Sequence, residues 1–125
     1  MIVVDSSAAV EAFTGNVQAR TLLIDHHLVA PHLIDAEFMH VIRKHLFRND
    51  ISARKANAVI AAWVAFEIDR VPTFALNSII WHWRDNLTPY DATYVAAAKQ
   101  LNVPLLTCDQ RMAKAAERYC QVIQL

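Results

Sequence analysis

The sequence predicts an α/β domain in which a short, mainly parallel sheet is covered by helices on both faces. Three observations lead there. The apolar segments that read as strands are short and do not alternate with polar residues, as expected of strands buried on both faces. Segments with helical spacing lie between them, as crossovers between parallel strands require. The 125 residues contain one glycine and four prolines, too few breakers for an all-β sandwich or a disordered chain.

Residues 2–5, IVVD, read as a short buried strand. SSAAVEAF (6–13) follows as a helix capped by Ser6 or Ser7. Gly15-Asn16 breaks it, and NVQARTLLID (16–25) forms a second helix. HLVAP (27–31) is a brief strand closed by Pro31. Residues 33–48 form a long helix, with Phe38, Val41, Ile42, His45 and Leu46 on one face. Asn49-Asp50 ends it, and Ser52 caps a helix over 52–68. VPTF (71–74) is a linker or an edge strand, and 75–85 a further helix. TPYDATYVAAAKQ (88–100) is a helix with Thr88 as cap and Pro89 in its first position. VPLLT (103–107) is a strand, DQRMAKAAERY (109–119) a helix and CQVIQL (120–125) a last strand. No repeat or linker interrupts the series, so residues 1–125 are expected to form a single domain.

Composition narrows the function. A 55% hydrophobic content supplies a core and a surplus for a buried interface. No apolar run approaches the length that spans a bilayer, and no basic region precedes the first apolar residues as in a secretory signal. Cys108 and Cys120 are too few for a disulfide scaffold and lack CxxC spacing, which points to a reducing cytoplasm. Among the histidines, His26 and His27 are adjacent and His40 and His45 are five apart, so neither pair has the i, i+4 spacing of a helical zinc site. Twelve basic residues balance twelve acidic ones. If four carboxylates are gathered around a metal, eight acids face twelve bases and the remaining surface is +4. A neutral total is therefore compatible with a polyanionic substrate.

The acidic residues carry the chemistry. Asp5 and Asp109 follow apolar strands, and ligands of open α/β sheets bind outside the carboxyl ends of the strands. Glu37 lies early in the helix after Pro31, beside its apolar stripe, and Asp91 lies in the first turn of the TPYDATY helix. All four acids are thus expected on one rim. Each has a simpler reading singly: a turn for Asp5, a helix cap for Asp109, a capping-box position for Asp91 and a dipole-stabilised first-turn acid for Glu37. Clustered carboxylates repel, and a divalent cation relieves the repulsion. Hard oxygen ligands suit Mg²⁺ or Mn²⁺, and the reaction such a site supports is phosphodiester hydrolysis.

In order, spacing and length, IVVDSSAAV, VAPHLIDAEFMHVIRK and LTPYDATYVAAAKQLNVPLLTCDQRM resemble the PIN-domain nucleases, in particular the VapC-type toxins of bacterial toxin–antitoxin pairs. The resemblance runs from residue 1 to about 124 and implies a PIN-like three-layer α/β/α fold. By position it implies that Asp5, Glu37, Asp91 and Asp109 bind Mg²⁺ or Mn²⁺ and activate water. It makes Thr107 the small hydroxyl residue near the metal and Ser6 the hydroxyl that follows the first acid. Asp35 is a rival for Glu37 on the other margin of the same stripe, and the spacing after Pro31 favours Glu37. The resemblance further implies an endoribonuclease acting on structured RNA such as tRNA, a homodimer, and a VapB-type antitoxin whose tail occupies the active-site groove.

Arg111, two residues past Asp109, is the leading candidate for contacting substrate phosphate, and Arg43 and Lys44 are a second basic group. Two alternatives use the same fold: a catalytically inactive PIN-like binding module, and a housekeeping RNA-processing nuclease. A phosphatase of the haloacid-dehalogenase type needs a second Asp two residues after the first, where Ser7 stands.

Overall fold

A computed structural model describes residues 1–125. In chain order the elements are β1 (Ile2–Val4), α1 (Ser6–Phe13), α2 (Val17–Asp25), β2 (Leu28–Pro31), α3 (Leu33–Phe47), α4 (Ala53–Ala65) and β3 (Asp69–Val71). A 3₁₀ turn (Phe74–Leu76) then leads to α5 (Asn77–His82), α6 (Pro89–Leu101), β4 (Leu105–Thr107), α7 (Gln110–Ala116) and β5 (Val122–Gln124). The five strands form one sheet in the order β3-β2-β1-β4-β5, and every pairing is parallel.

The chain runs from β1 outward through β2 to β3, then crosses back to β4 and β5. Right-handed crossovers therefore place α1–α4 on one face and α5–α7 on the other. The packing agrees: α1 lies against α2, α3 and α4, whereas α6 crosses β1, β2 and β4, with α5 beside it and α7 against β4 and β5. This is the expected three-layer α/β/α arrangement. The strand order reverses between β1 and β4, so the switch point lies at their carboxyl ends.

Both layers are tightly held. Val3, Val4, Ala30, Leu105 and Leu106 are fully buried in the sheet. On the α1–α4 side, Phe38 and Trp63 stack with centroids 4.2 Å apart, and Phe13 meets Phe38, Trp63 and Phe66 edge-on at 5.6, 5.4 and 5.3 Å. Edge-on and offset contacts suit the ring quadrupoles. On the other side Ala92, Val95, Ala96, Ala97 and Ala98 of α6 are buried; their small side chains allow the helix to lie close on the sheet. No helix is long and apolar enough to cross a membrane.

Several boundaries differ from the sequence reading. The N-cap of α1 is Asp5, not Ser6 or Ser7: Asp5 has extended backbone angles and its side chain accepts from Ala8 N. The helix expected over 52–68 stops at Ala65, because Phe66 turns to extended geometry and packs on Phe13. The edge strand expected at 71–74 is instead Asp69–Val71; Pro72 brings no N–H to continue the ladder. The helix expected over 75–85 is the 3₁₀ turn followed by the short α5. The last helix ends at Ala116 rather than 119, where the N–H groups of Tyr119 and Cys120 both return to the Ala116 carbonyl. The only glycine, Gly15, has φ +121°, and a Cβ added there would meet nothing within 4 Å, so backbone conformation rather than space requires glycine.

Candidate active site

Four acids come from four parts of the chain, and all lie toward the carboxyl edge of the sheet. Asp5 directly follows β1 and Asp109 follows β4, one on each side of the switch point. Glu37 stands in the second turn of α3, which follows β2. Asp91 is in the first turn of α6, where Thr88 Oγ1 accepts from the Asp91 N–H at 3.2 Å and Pro89 occupies N1.

Asp5 is the anchor. It is 3% exposed. Its Oδ1 accepts from Ala8 N at 2.9 Å and from Ser7 Oγ at 2.7 Å, and its Oδ2 accepts from Thr107 Oγ1. Thr107 in turn accepts from Asp109 N at 3.0 Å, while Ser7 accepts from Cys108 N at 2.9 Å. The two hydroxyls thus lace the end of β1 to the end of β4. Burial raises the Asp5 carboxyl to a pKa of about 6; the bonds from Thr107, Ala8 and Ser7 restrain the rise, and the nearby Asp109 charge adds to it.

Asp109 is exposed and caps α7, its Oδ1 accepting from Arg111 N at 2.9 Å and Met112 N at 3.1 Å. The capping role that is its simplest reading is real, and it leaves Oδ2 without a protein donor. Glu37 Oε1 accepts from the buried Tyr94 hydroxyl at 2.6 Å, and its Oε2 has no such bond. Burial and this bond to a carboxylate push the Tyr94 phenol well above its ordinary value, so it stays a donor. The Asp91 carboxylate makes no hydrogen bond or ion pair. Burial raises its pKa, and Asp109 and then Glu37 add to the rise, while Arg111 opposes it.

The four carboxylates therefore feel one another: Asp5 with Asp109, and Asp91 with Asp109 and Glu37. No three of the chain's Asp, Glu, His or Cys side chains close up tightly enough to enclose an ion on protein ligands alone. Asp91, Asp109 and Arg111 line a cleft of about 270 Å³ with Asn86, Leu87, Thr88, Met112 and Ala115. Asp5 and Glu37 do not line it. The donor set is hard oxygen and mutually repelling; both Asp5 oxygens are bonded, while Glu37, Asp91 and Asp109 keep oxygens without protein donors, which fits a cation that retains several waters. The Cys108 thiol is pushed up to about 11 by burial and by the charges of Asp5 and Glu11, so it is neither a thiolate nucleophile nor a ready soft ligand.

Other sequence candidates fall differently. Asp35 is committed elsewhere: it accepts from Trp63 Nε1 at 2.8 Å and from Arg70 Nε and Nη2 at 3.1 and 2.8 Å. The Arg70 guanidinium holds its carboxyl below the usual range. The Ser6 hydroxyl makes no hydrogen bond to Asp5; the hydroxyl that does belongs to Ser7. Arg43 and Lys44 are not brought to the cleft; they stand about 9–10 Å farther along α3 than Glu37, with the Arg43 guanidinium 4.4 Å from the Phe47 ring centroid. Sequence reasoning does not reach the roles of Ser7 and Tyr94. Tyr94 stands three residues after Asp91, on the same side of α6, a spacing that makes it a neighbour of that site.

A PIN domain family model matches residues 2–118. Ribonuclease VapC1 of Mycobacterium tuberculosis is 39% identical over 125 residues, an alignment covering 96% of this chain and 94% of that protein. VapC ribonuclease Mb0985 of Mycobacterium bovis is 37% identical over 122 residues, covering 98% and 96%. Among solved structures, Mycobacterium tuberculosis VapC20, a Sarcin-Ricin loop cleaving toxin, superposes with a TM-score of 0.67 at 17% identity over 92% of this chain and 95% of that one. That last likeness is one of fold.

Proposed function

The chain belongs to the PIN-domain family, and on that premise we propose that it is a Mg²⁺- or Mn²⁺-dependent endoribonuclease, the toxin of a VapBC-type toxin–antitoxin pair. Its substrate is structured RNA such as tRNA, and its cleavage inhibits translation. It works in the cytoplasm as a homodimer of single PIN domains spanning residues 1–125, and a VapB-type antitoxin restrains it. The names of the relatives, ribonucleases over nearly their whole length, support this reading.

The observation that carries the chemistry is the gathering of Asp5, Glu37, Asp91 and Asp109, electrostatically coupled, at one edge of the sheet. None of the four is neutralised in an ion pair; the chain's carboxylates that meet basic side chains are Asp35 with Arg70, Asp69 with His27 and Asp50 with His45. A working site explains that better than an inactive binding module does. Asp5, Glu37, Asp91 and Asp109 would hold the ion together with several waters, with Glu37, Asp91 and Asp109 offering oxygens that lack protein donors. When bound, the ion supplies a water of lowered pKa and offsets the charge that builds on the phosphoryl oxygens.

The protein's own groups do the rest. Ser7 and Thr107 fix the Asp5 carboxylate in one orientation, and Thr107 also ties it to the backbone of Asp109. Tyr94 fixes Glu37 in the same way. The Asp91 carboxylate, on the wall of the cleft and free of protein hydrogen bonds, would accept a proton from the attacking water. Arg111, on the wall of the same cleft, meets the non-bridging oxygens of the phosphate.

Incubation of the purified chain with tRNA and other RNAs tests this. Cleavage that EDTA abolishes and added Mg²⁺ or Mn²⁺ restores is expected. A folded, antitoxin-free protein that cuts none of them in either metal would overturn the reading.

A further inference from the structure

Arg111, Lys114 and Arg118 recur every three to four residues and so share one side of α7 and of the turn that follows it. All three are exposed, and none pairs with a carboxylate within ion-pair distance. Together with Asn86 and Ala115 they line a shallow cleft of about 390 Å³. In a chain of zero net charge, three cations in one cleft, none of them in an ion pair, are a local segregation of charge. Glu117 also stands in this segment, exposed and outside the cleft lining.

The cleft is continuous with the carboxylate site. Asn86, Arg111 and Ala115 line both it and the cleft that holds Asp91 and Asp109. Asn86 Nδ2 donates at 3.1 Å to Tyr119 Oη, outside the lining, and the Tyr119 ring stacks on buried Trp83 at 4.2 Å, which holds Asn86 in place on the wall. That bond leaves the Asn86 side-chain oxygen uncommitted, an acceptor suited to a ribose hydroxyl.

We propose that Arg111, Lys114 and Arg118 form a track for the phosphate backbone of single-stranded RNA flanking the bond to be cut. The proposal rests on the nuclease reading above and adds where the strand runs. Arg111 to Lys114 spans about 4–5 Å of helical rise and Arg118 stands in the turn beyond, room for about two phosphates past the one at the carboxylates. Two of the three cations are arginines, whose planar forks grip phosphate in two-pronged fashion. An acidic peptide would satisfy the cations but brings no scissile phosphate to the carboxylate end of the track. An RNA strand instead enters that site with a phosphate, the group that a metal nuclease must receive.

The test compares wild type with the double variant Lys114→Ala, Arg118→Ala. A control double variant, Arg20→Ala, Lys99→Ala, removes the same charge from α2 and the far end of α6. Binding of a labelled single-stranded RNA oligonucleotide is followed by fluorescence anisotropy in EDTA, so that no cleavage intervenes. The track variant is expected to bind on the order of tenfold more weakly at about 0.1 M salt, with a log Kd–log salt slope shallower by about 1.4, two phosphate contacts at about 0.7 each. With Mg²⁺ its KM for cleavage rises by a similar factor, while kcat changes less than about twofold. Unchanged binding and KM would overturn the track and leave the nuclease reading standing. Equal weakening in both double variants would also overturn it, by assigning the effect to overall charge. If wild type cuts no RNA but the track variant alone loses binding, the track stands and the nuclease reading falls.

Discussion

The Asp5 carboxylate is buried, and burial raises its pKa from 3.8 to about 6. The sign of the consequence follows by linkage. Between the two values the folded state keeps a proton that the unfolded state releases. The contribution of this group to stability is therefore full below pH 3.8 and is lost as pH rises through about 6. A shift of about 2 units corresponds to about 3 kcal/mol. In chelator, the difference in unfolding free energy between wild type and Asp5→Asn is expected to move by about that much between about pH 4 and pH 7, wild type losing ground. Urea titrations that give a pH-independent difference would contradict it. Asp5 and Asp109 are legible in the sequence because each ends an apolar strand. Ser7 is not, because a serine two residues past a strand end looks like any helix-start residue until the neighbouring strand supplies Thr107 and Cys108.

At the scale of elements, helix starts are readable and several ends are not. Asn16, Ser52 and Thr88 cap as their chemistry requires, each side chain accepting from the N–H three residues on. The ends of α4 and α7 depend on where Phe66 and Tyr119 find ring partners, which no local pattern encodes. Asp35 and Glu37 show the same division. Both flank the apolar stripe of α3, and only tertiary packing sends Asp35 to Trp63 and Arg70 and Glu37 to Tyr94. Asp35 joins α3, α4 and β3, so Asp35→Ala is expected to destabilise the fold by about 1–3 kcal/mol, with an effect on cleavage traceable to that loss. Glu37→Gln should leave stability within about 1 kcal/mol and lower kcat by on the order of a hundredfold. Denaturation and steady-state cleavage of the two variants separate the roles; the reverse pattern would exchange them.

For the molecule as a whole, the class of fold is readable because short unalternating strands between helices admit few other arrangements. The fully parallel order β3-β2-β1-β4-β5, with its switch point between β1 and β4, emerges only from the assembled sheet. That order turns four acids distant in sequence into one charged edge. Repulsion among them costs stability when no cation is bound, so the ion should stabilise the folded chain by mass action. At an Mn²⁺ concentration about a hundred times its Kd the gain is about 2.7 kcal/mol, visible as a rise in Tm for wild type and absent or much reduced in Asp109→Asn. An equal rise in both proteins would place the ion elsewhere.

These four carboxylates are proposed to form a single metal-dependent nuclease centre anchored on Asp5. The measurement that meets this most directly is the initial rate of RNA cleavage in Mg²⁺ or Mn²⁺ by wild type and by Asp5→Asn prepared identically, with circular dichroism to establish that both are folded. A rate lower by on the order of a hundredfold or more is expected in the folded variant. Equal rates in the two proteins would contradict it.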